Sequence, residues 1–227
     1  MTPNPASAVR VWDLPTRVFH WTLALTIVGS VISAKIGGNA MVWHFRFGYL
    51  VFTLLAFRVL WGLFGGHWSR FVRFIYAPRT VLRYLRGQAR PDEHLDVGHN
   101  PLGSFSVFAV LGILAVQVAS GLVADDDIAN VGPLNRFVSI EWVEDATAWH
   151  TSWGQWLILA LVGLHVAAIL FYLLRKRINL VRPMVWGDKP LPAGTPASAD
   201  GTAPRVLALV MVLLCAAGVN WVVGLGG

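Results

Sequence analysis

The sequence predicts an all-α integral membrane bundle, a four-helix core followed by a fifth C-terminal transmembrane helix. Three observations predict it. Hydrophobic residues make up 56% of the 227-residue chain and charged residues only 13%, about half the share of roughly 25% found in soluble domains. Mean hydropathy is +0.59. Five separate stretches reach the ~20 mostly apolar residues that a bilayer-crossing helix needs. This composition excludes a soluble enzyme, and it excludes a disordered chain, which requires low hydrophobicity. A single cysteine, Cys215, excludes an intrachain disulfide framework and a cysteine-ligated iron–sulfur cluster. The expected surroundings are membrane lipid, not nucleic acid.

The elements follow in order. The first span, 18–34, is free of formal charge. It lacks a small-residue cleavage site after a short apolar core, so it reads as a retained helix and not a cleaved signal peptide. The second, 47–66, is interrupted once, by Arg58. The third, 102–124, opens on Asn100-Pro101, a capping residue followed by a first-turn proline. The fourth, 146–174, carries no formal charge and holds His150 and His165 as its only histidines, and it is longer than the hydrocarbon requires, which implies tilt or projection. The fifth is 206–225. Between spans, 78–87 gathers Val81, Leu82 and Leu85 apart from Arg79, Arg83 and Arg86, as a short helix on the inner leaflet would; a solvated basic loop is the plainer alternative. Residues 189–205 are rich in Pro, Ala, Gly and Ser and predict a flexible linker. The expected division is therefore a membrane domain over 1–188, a linker over 189–205 and an added helix over 206–227.

Loop charge sets the expected topology. With the N-terminus cytoplasmic, fourteen of the eighteen Lys and Arg residues fall in inside segments and three in outside segments. Such an excess marks the cytoplasmic side. The C-terminus is then outside. The outer loop carries Asp125, Asp126, Asp127, Glu141, Glu144 and Asp145 against one base, Arg136. That loop then faces the periplasm or its equivalent.

Four of the seven histidines belong to spans or their ends: His20, His44, His150 and His165. An ionisable residue inside a membrane is costly and marks a functional site by default. Topology places His44 and His150 at the outer face, and His20 and His165 toward the inner face. Fifteen residues separate His150 from His165, roughly 22 Å along a helix. A single zinc or copper ion cannot bridge that distance. Two imidazoles from facing helices with a flat macrocycle between them make bis-histidine haem ligation, and two such layers would stack two haems. There is no C-x-x-C-H, so any haem is non-covalent. His20 and His44 also fit an interfacial aromatic belt, and a haem-free histidine proton relay or transporter stays open. His67, His94 and His99 read as inner-loop residues, with His99 a further candidate to bond a propionate. Arg46 near the outer layer, and Arg58 and Arg17 near the inner one, are candidate propionate partners; snorkelling to the headgroups is the ordinary alternative for Arg58.

Ordered motifs carry a resemblance. They are Val11-Trp-Asp-Leu-Pro-Thr-Arg17-Val-Phe-His20-Trp21, His44-x-x-x-Gly48, Arg58-x-x-Trp61-Gly62, Gly98-His-Asn-Pro-Leu-Gly103, Trp149-His150, Gly163-Leu-His165 and Asn179-Leu-Val-Arg-Pro-Met184. Together they resemble the bacterial cytochrome b561 and nickel–iron hydrogenase b-type cytochrome family. The resemblance implies a four-helix core with two b haems, one clamped by the first and fourth helices (His20 with His165) and one by the second and fourth (His44 with His150). It further implies electron transfer in a respiratory chain, between a periplasmic partner (a hydrogenase or a c-type cytochrome) and membrane quinone. That is an electron-transfer subunit whose own quinone reductase activity is open. A few members oxidise superoxide, which a basic outer funnel would favour and the acidic outer loop disfavours. In the family the fourth-helix histidines usually sit one residue closer together than His150 and His165; a local bulge would absorb the extra residue, and without one the outer ligand geometry would differ. The fifth helix lies beyond the usual core; it would cover the bundle, bind a partner or line a homodimer.

Overall fold

The computed structural model describes residues 6–90 and 93–226; 1–5 and Gly227, at the outer limits of the first and last expected segments, lie outside that range. Its long helices are α1 (Leu14–Ile36), α2 (Met41–Phe64), α4 (Pro101–Val123), α6 (Gly154–Leu174) and α8 (Thr202–Gly224). A shorter helix, α5 (Ile140–Ala148), leads into α6 through a π turn, Trp149–Trp153. The remaining elements are β1 (Ala6–Arg10), α3 (Pro78–Leu85), α7 (Val181–Trp186) and β2 (Asp188–Pro192). Five helical runs are long and apolar enough to cross a membrane, and the run through α5 and α6 is the longest at 35 residues. The all-α membrane bundle expected from the sequence is the fold observed. The fourth span begins six residues earlier than expected, at Ile140, so Glu141, Glu144 and Asp145 sit on helical turns and not in a loop. The short helix expected at 78–87 is α3.

The chain divides into two compact units, each gathered from three stretches. The first contains 1–19, 59–108 and 165–209. Its core is Val11, Trp12, Trp68 and Val97, with Met184 and Leu191 packed against it. β1 and β2 pair antiparallel, with Arg10 opposite Asp188. Gly187 ends α7 at φ 94°, a conformation that suits glycine. Its carbonyl accepts the amides of Val11 and Trp12 at 2.9 and 3.0 Å, and a side chain there would strike Arg10 and the Trp12 carbonyl.

The segment 189–205 is therefore not a free linker. β2 occupies its start, Pro196 O accepts Trp68 Nε1 at 2.7 Å, and Ser198 Oγ donates to Val11 O at 2.7 Å. Asp200 accepts Leu14 N at 2.9 Å and lies 3.0, 3.8 and 3.2 Å from Arg10, Arg17 and Arg205. Composition signalled only the lack of a periodic pattern; long-range hydrogen bonds order the segment instead.

Asp13 is the polar centre of this unit and is fully buried. It caps α1 through Thr16 N at 2.8 Å, the role expected of Asp before a first-turn proline. It also accepts Trp61 Nε1 at 3.1 Å and Ser69 Oγ at 2.6 Å. Asn100 caps α4 as expected, accepting Gly103 N at 2.7 Å.

The second unit contains 20–58, 109–164 and 210–227. Its helices are mostly apolar. Asp126 shapes its loop by accepting the amides of Ile128, Ala129 and Asn130 at 2.9 to 3.0 Å. These bonds hold the Asp126 carboxyl far below the usual carboxylate range, the Asn130 side-chain bond most of all. Arg136 donates to Leu225 O, joining this region to the end of α8.

Candidate functional site

The second unit brings His44 and His150 together. His44 lies in the first turn of α2 and His150 in the π turn ahead of α6. Their ring centroids are 5.9 Å apart with the planes at 83°. Each ring is anchored by one nitrogen only. His44 Nδ1 lies 3.0 Å from Ser30 O and 3.1 Å from Ser30 Oγ on α1. His150 Nδ1 lies 2.9 Å from Gln117 O and 3.3 Å from Ser120 Oγ on α4. A carbonyl is an acceptor only, so each Nδ1 carries a proton, and in the neutral ring each Nε2 then keeps its lone pair. Among the described residues neither Nε2 has a hydrogen bond. This is the arrangement that orients a metal-bound imidazole, with the second nitrogen tied to a carbonyl.

The spacing fits a planar metal macrocycle. Two metal–imidazole bonds of about 2 Å, plus the offset from each nitrogen to its ring centre, come to roughly 6 Å. Gly121 allows the close approach on the α4 side: a Cβ there would lie 2.6 Å from His150 Cε1. Gly48 follows His44 by one helical turn, and a Cβ there would meet nothing within 4 Å. The residues present thus fit a b haem. They do not form a direct metal cluster, since no group of three or more His, Cys, Asp or Glu gathers among the described residues.

The π turn resolves the spacing of the fourth-helix histidines. Gly154 N bonds to Trp149 O, five residues back, which is the π pattern and adds one residue to the turn. A local bulge of the kind that would absorb the extra residue is present at Trp149–Trp153.

The other expected residues are placed as follows. His20 belongs to the second unit, edge-on to Trp21 at 5.2 Å and 84°. His165 belongs to the first unit, within α6. Arg46 stacks its guanidinium over the Trp43 ring at 4.9 Å. Arg58 is buried, 3% exposed, so it does not snorkel to the headgroups. Arg17 donates from Nη1 to Val185 O at 2.6 Å and faces Asp200, which commits its head to the loop network. His99 packs between Trp12 and Phe74, at 4.7 and 4.6 Å. His67 lies outside the spans, where burial and the charges of Arg73 and Arg70 lower its pKa and favour the neutral ring. Sequence reading passed over Ser30, Gln117, Ser120 and Gly121. The signal available was Gln117 itself, the one amide side chain in α4.

The chain is similar in sequence to a family of known proteins. The profile of the prokaryotic cytochrome b561 family matches residues 11–187. A "Probable Ni/Fe-hydrogenase B-type cytochrome subunit" of Cupriavidus necator is 28% identical over 216 residues, covering 79% of this chain and 86% of the relative. Proteins of the same description from Azotobacter vinelandii and Bradyrhizobium diazoefficiens are 25% and 23% identical, each covering 80% of this chain and 88% and 85% of their own length. No solved structure gives a significant match. The chain belongs to the prokaryotic cytochrome b561 family, multi-pass membrane proteins that carry electrons on b haem.

Proposed function

We propose that the chain passes electrons across the bacterial inner membrane through two non-covalent b haems, between an extracytoplasmic redox partner and membrane quinone. His44 and His150 would hold one haem, and His20 and His165 the other. The observation that carries the reading is the outer pair: two imidazoles 5.9 Å apart, each with Nδ1 on a carbonyl and Nε2 left for iron. The inner pairing rests on sequence depth and on the family resemblance. Relatives named as hydrogenase cytochrome subunits favour a hydrogenase-like partner, and the Lys and Arg distribution favours a cytoplasmic N-terminus.

When bound, haem supplies a one-electron iron couple, and the protein sets its potential through the ligands, burial and nearby charge. The residues of the chain do the rest. Ser30 and Gln117 fix the tautomer and hold the two rings through their carbonyls, so little reorganisation accompanies a change of charge between them. Apolar helix faces keep water away. Arg46 and Arg58 are the cations proposed for haem carboxylates, while Arg17 serves the loop network. The acidic residues of 125–145 face a soluble partner.

Full-length protein purified in mild detergent tests the reading. Pyridine haemochrome assay should give two acid-acetone-extractable haems per chain, and a redox titration should show two steps. A hydrogenase-like protein should copurify, and added quinone should reoxidise the reduced cytochrome. A stoichiometry of one haem per chain would break the ligand assignment; two haems with no response to quinone would break the assigned acceptor.

A further inference from the structure

We propose that Gln117 is a positioning residue for the outer histidine pair, holding from α4 the π turn that presents His150 to His44. The inference rests on the ligand reading above. Gln117 reaches His150 twice. Its backbone carbonyl takes the imidazole Nδ1 at 2.9 Å, and its side-chain Nε2 donates to the His150 backbone carbonyl at 2.9 Å. One residue thereby grips both the ring and the main chain of the ligand.

The second grip has a structural reason. A π turn breaks the regular i to i−4 hydrogen-bond pattern and persists where an outside partner supports it. The amide of Gln117 supplies that partner for His150 O. Removing one residue after His150 would rotate everything before it by about 100° relative to α6. The ring would then leave the side that faces His44, so the turn sets the register of the site.

The surroundings are shaped for this side chain. A Cβ on Gly154 would lie 1.9 Å from Gln117 Oε1 and 2.7 Å from Trp149 Nε1. Only glycine at the end of the turn lets the amide lie against the helix. Ser120 Oγ donates to Gln117 O at 2.9 Å and so supports the same carbonyl that holds the ring. Neither Gln117 nor Gly154 touches the iron, so each acts through His150.

Gln117→Met keeps the length and removes the amide donor. Gly154→Ala puts a methyl where the amide lies. In the full-length holoprotein, both variants should keep two haems per chain. Both should shift the low-field EPR signal and midpoint potential of the outer haem and leave those of the inner haem at wild-type values. The effects should not add in the double variant, because both act at one contact. Gln117→Asn, too short to reach, should behave like Gln117→Met. Equal shifts in both haems indicate general loosening and overturn the proposal, as does an outer haem that ignores all three substitutions. If Gln117→Met does not accumulate, the Gly154→Ala spectrum decides on the same criteria. A wild-type chain with a single low-spin haem overturns the ligand reading, and this proposal with it. Two wild-type signals that the variants leave untouched overturn this proposal alone.

Discussion

His150 and Asp13 are both polar side chains held inside apolar surroundings, and they are wired in opposite ways. Asp13 has both carboxylate oxygens engaged, accepting from Thr16 N and Trp61 Nε1 on Oδ1 and from Ser69 Oγ on Oδ2. His150 spends one nitrogen on a carbonyl and leaves the other uncommitted among the described residues. A buried polar group is tolerated when its hydrogen bonds are satisfied. A saturated network therefore reads as architecture. A ring oriented by one nitrogen, with a second ring 5.9 Å away, reads as a ligand site. The contrast separates what holds this protein together from what it works with.

The contrast breaks most visibly at the histidines. His150→Leu or His44→Leu should each remove the outer haem. Pyridine haemochrome assay should then show about half the wild-type haem per chain, and the protein should still accumulate. Electron flow through the membrane should stop, since a gap on the order of 20 Å by helix rise is too wide for fast transfer. His165→Leu should remove the other haem and spare the outer signal. Equal loss of both signals in the His44 variant would contradict the pairing.

Asp13→Ala should do the reverse. It removes the shared acceptor of Thr16 N, Trp61 Nε1 and Ser69 Oγ, of which Ser69 Oγ keeps Thr16 Oγ1 at 2.7 Å, and each buried donor left unsatisfied costs about 1–3 kcal/mol. Thermal unfolding should move down sharply, while the fraction that folds keeps both haem spectra. A changed haem spectrum at full stability would mean that Asp13 belongs to the site.

Much of this was legible in the sequence. Span positions agree with the helices to within six residues, because apolar length sets where a span can lie. The extra residue between His150 and His165 was visible as a departure from the family spacing, and the π turn accounts for it. Two kinds of feature were hidden. Asp200 meets Leu14 across 186 residues and Ser198 meets Val11 across 187, and local pattern carries no trace of such partners. The backbone carbonyls of Ser30 and Gln117 that aim the histidines belong to every residue alike, so only the fold reveals which ones are used.

Gly121→Ala sharpens the comparison with a smaller effect. The added methyl would sit 2.6 Å from His150 Cε1 and 3.0 Å from its Nδ1. Overpacking of this kind costs about 1–3 kcal/mol. The strain falls on the ring, so the outer haem should show high-spin character or partial loss, with the inner haem unchanged. A wild-type outer spectrum in this variant would show that the ring is not held against α4.

The smallest effect expected is on the saturated side, and it depends on pH. Burial works to raise the Asp200 carboxyl, but the bonds from Arg205 and Leu14 N and the charges of Arg205 and Arg10 outweigh it. The carboxyl is held below its ordinary value. A group whose folded pKa is depressed contributes stability that is fully present above the unfolded value, about 3.9 for Asp. That contribution is lost as the pH falls through the folded value. Asp200→Asn should therefore lower the melting temperature in detergent by a few degrees at pH 7. The gap between variant and wild type should close on acidification below the ordinary carboxylate range, because the wild type then loses the same charge. Both haem spectra should match wild type at pH 7, since the residues around Asp200 serve the loop network. A gap that stays constant from pH 7 into that acid range would show that the Asp200 charge is not what ties α8 to Arg10 and Leu14, leaving the neutral hydrogen bonds to hold that junction.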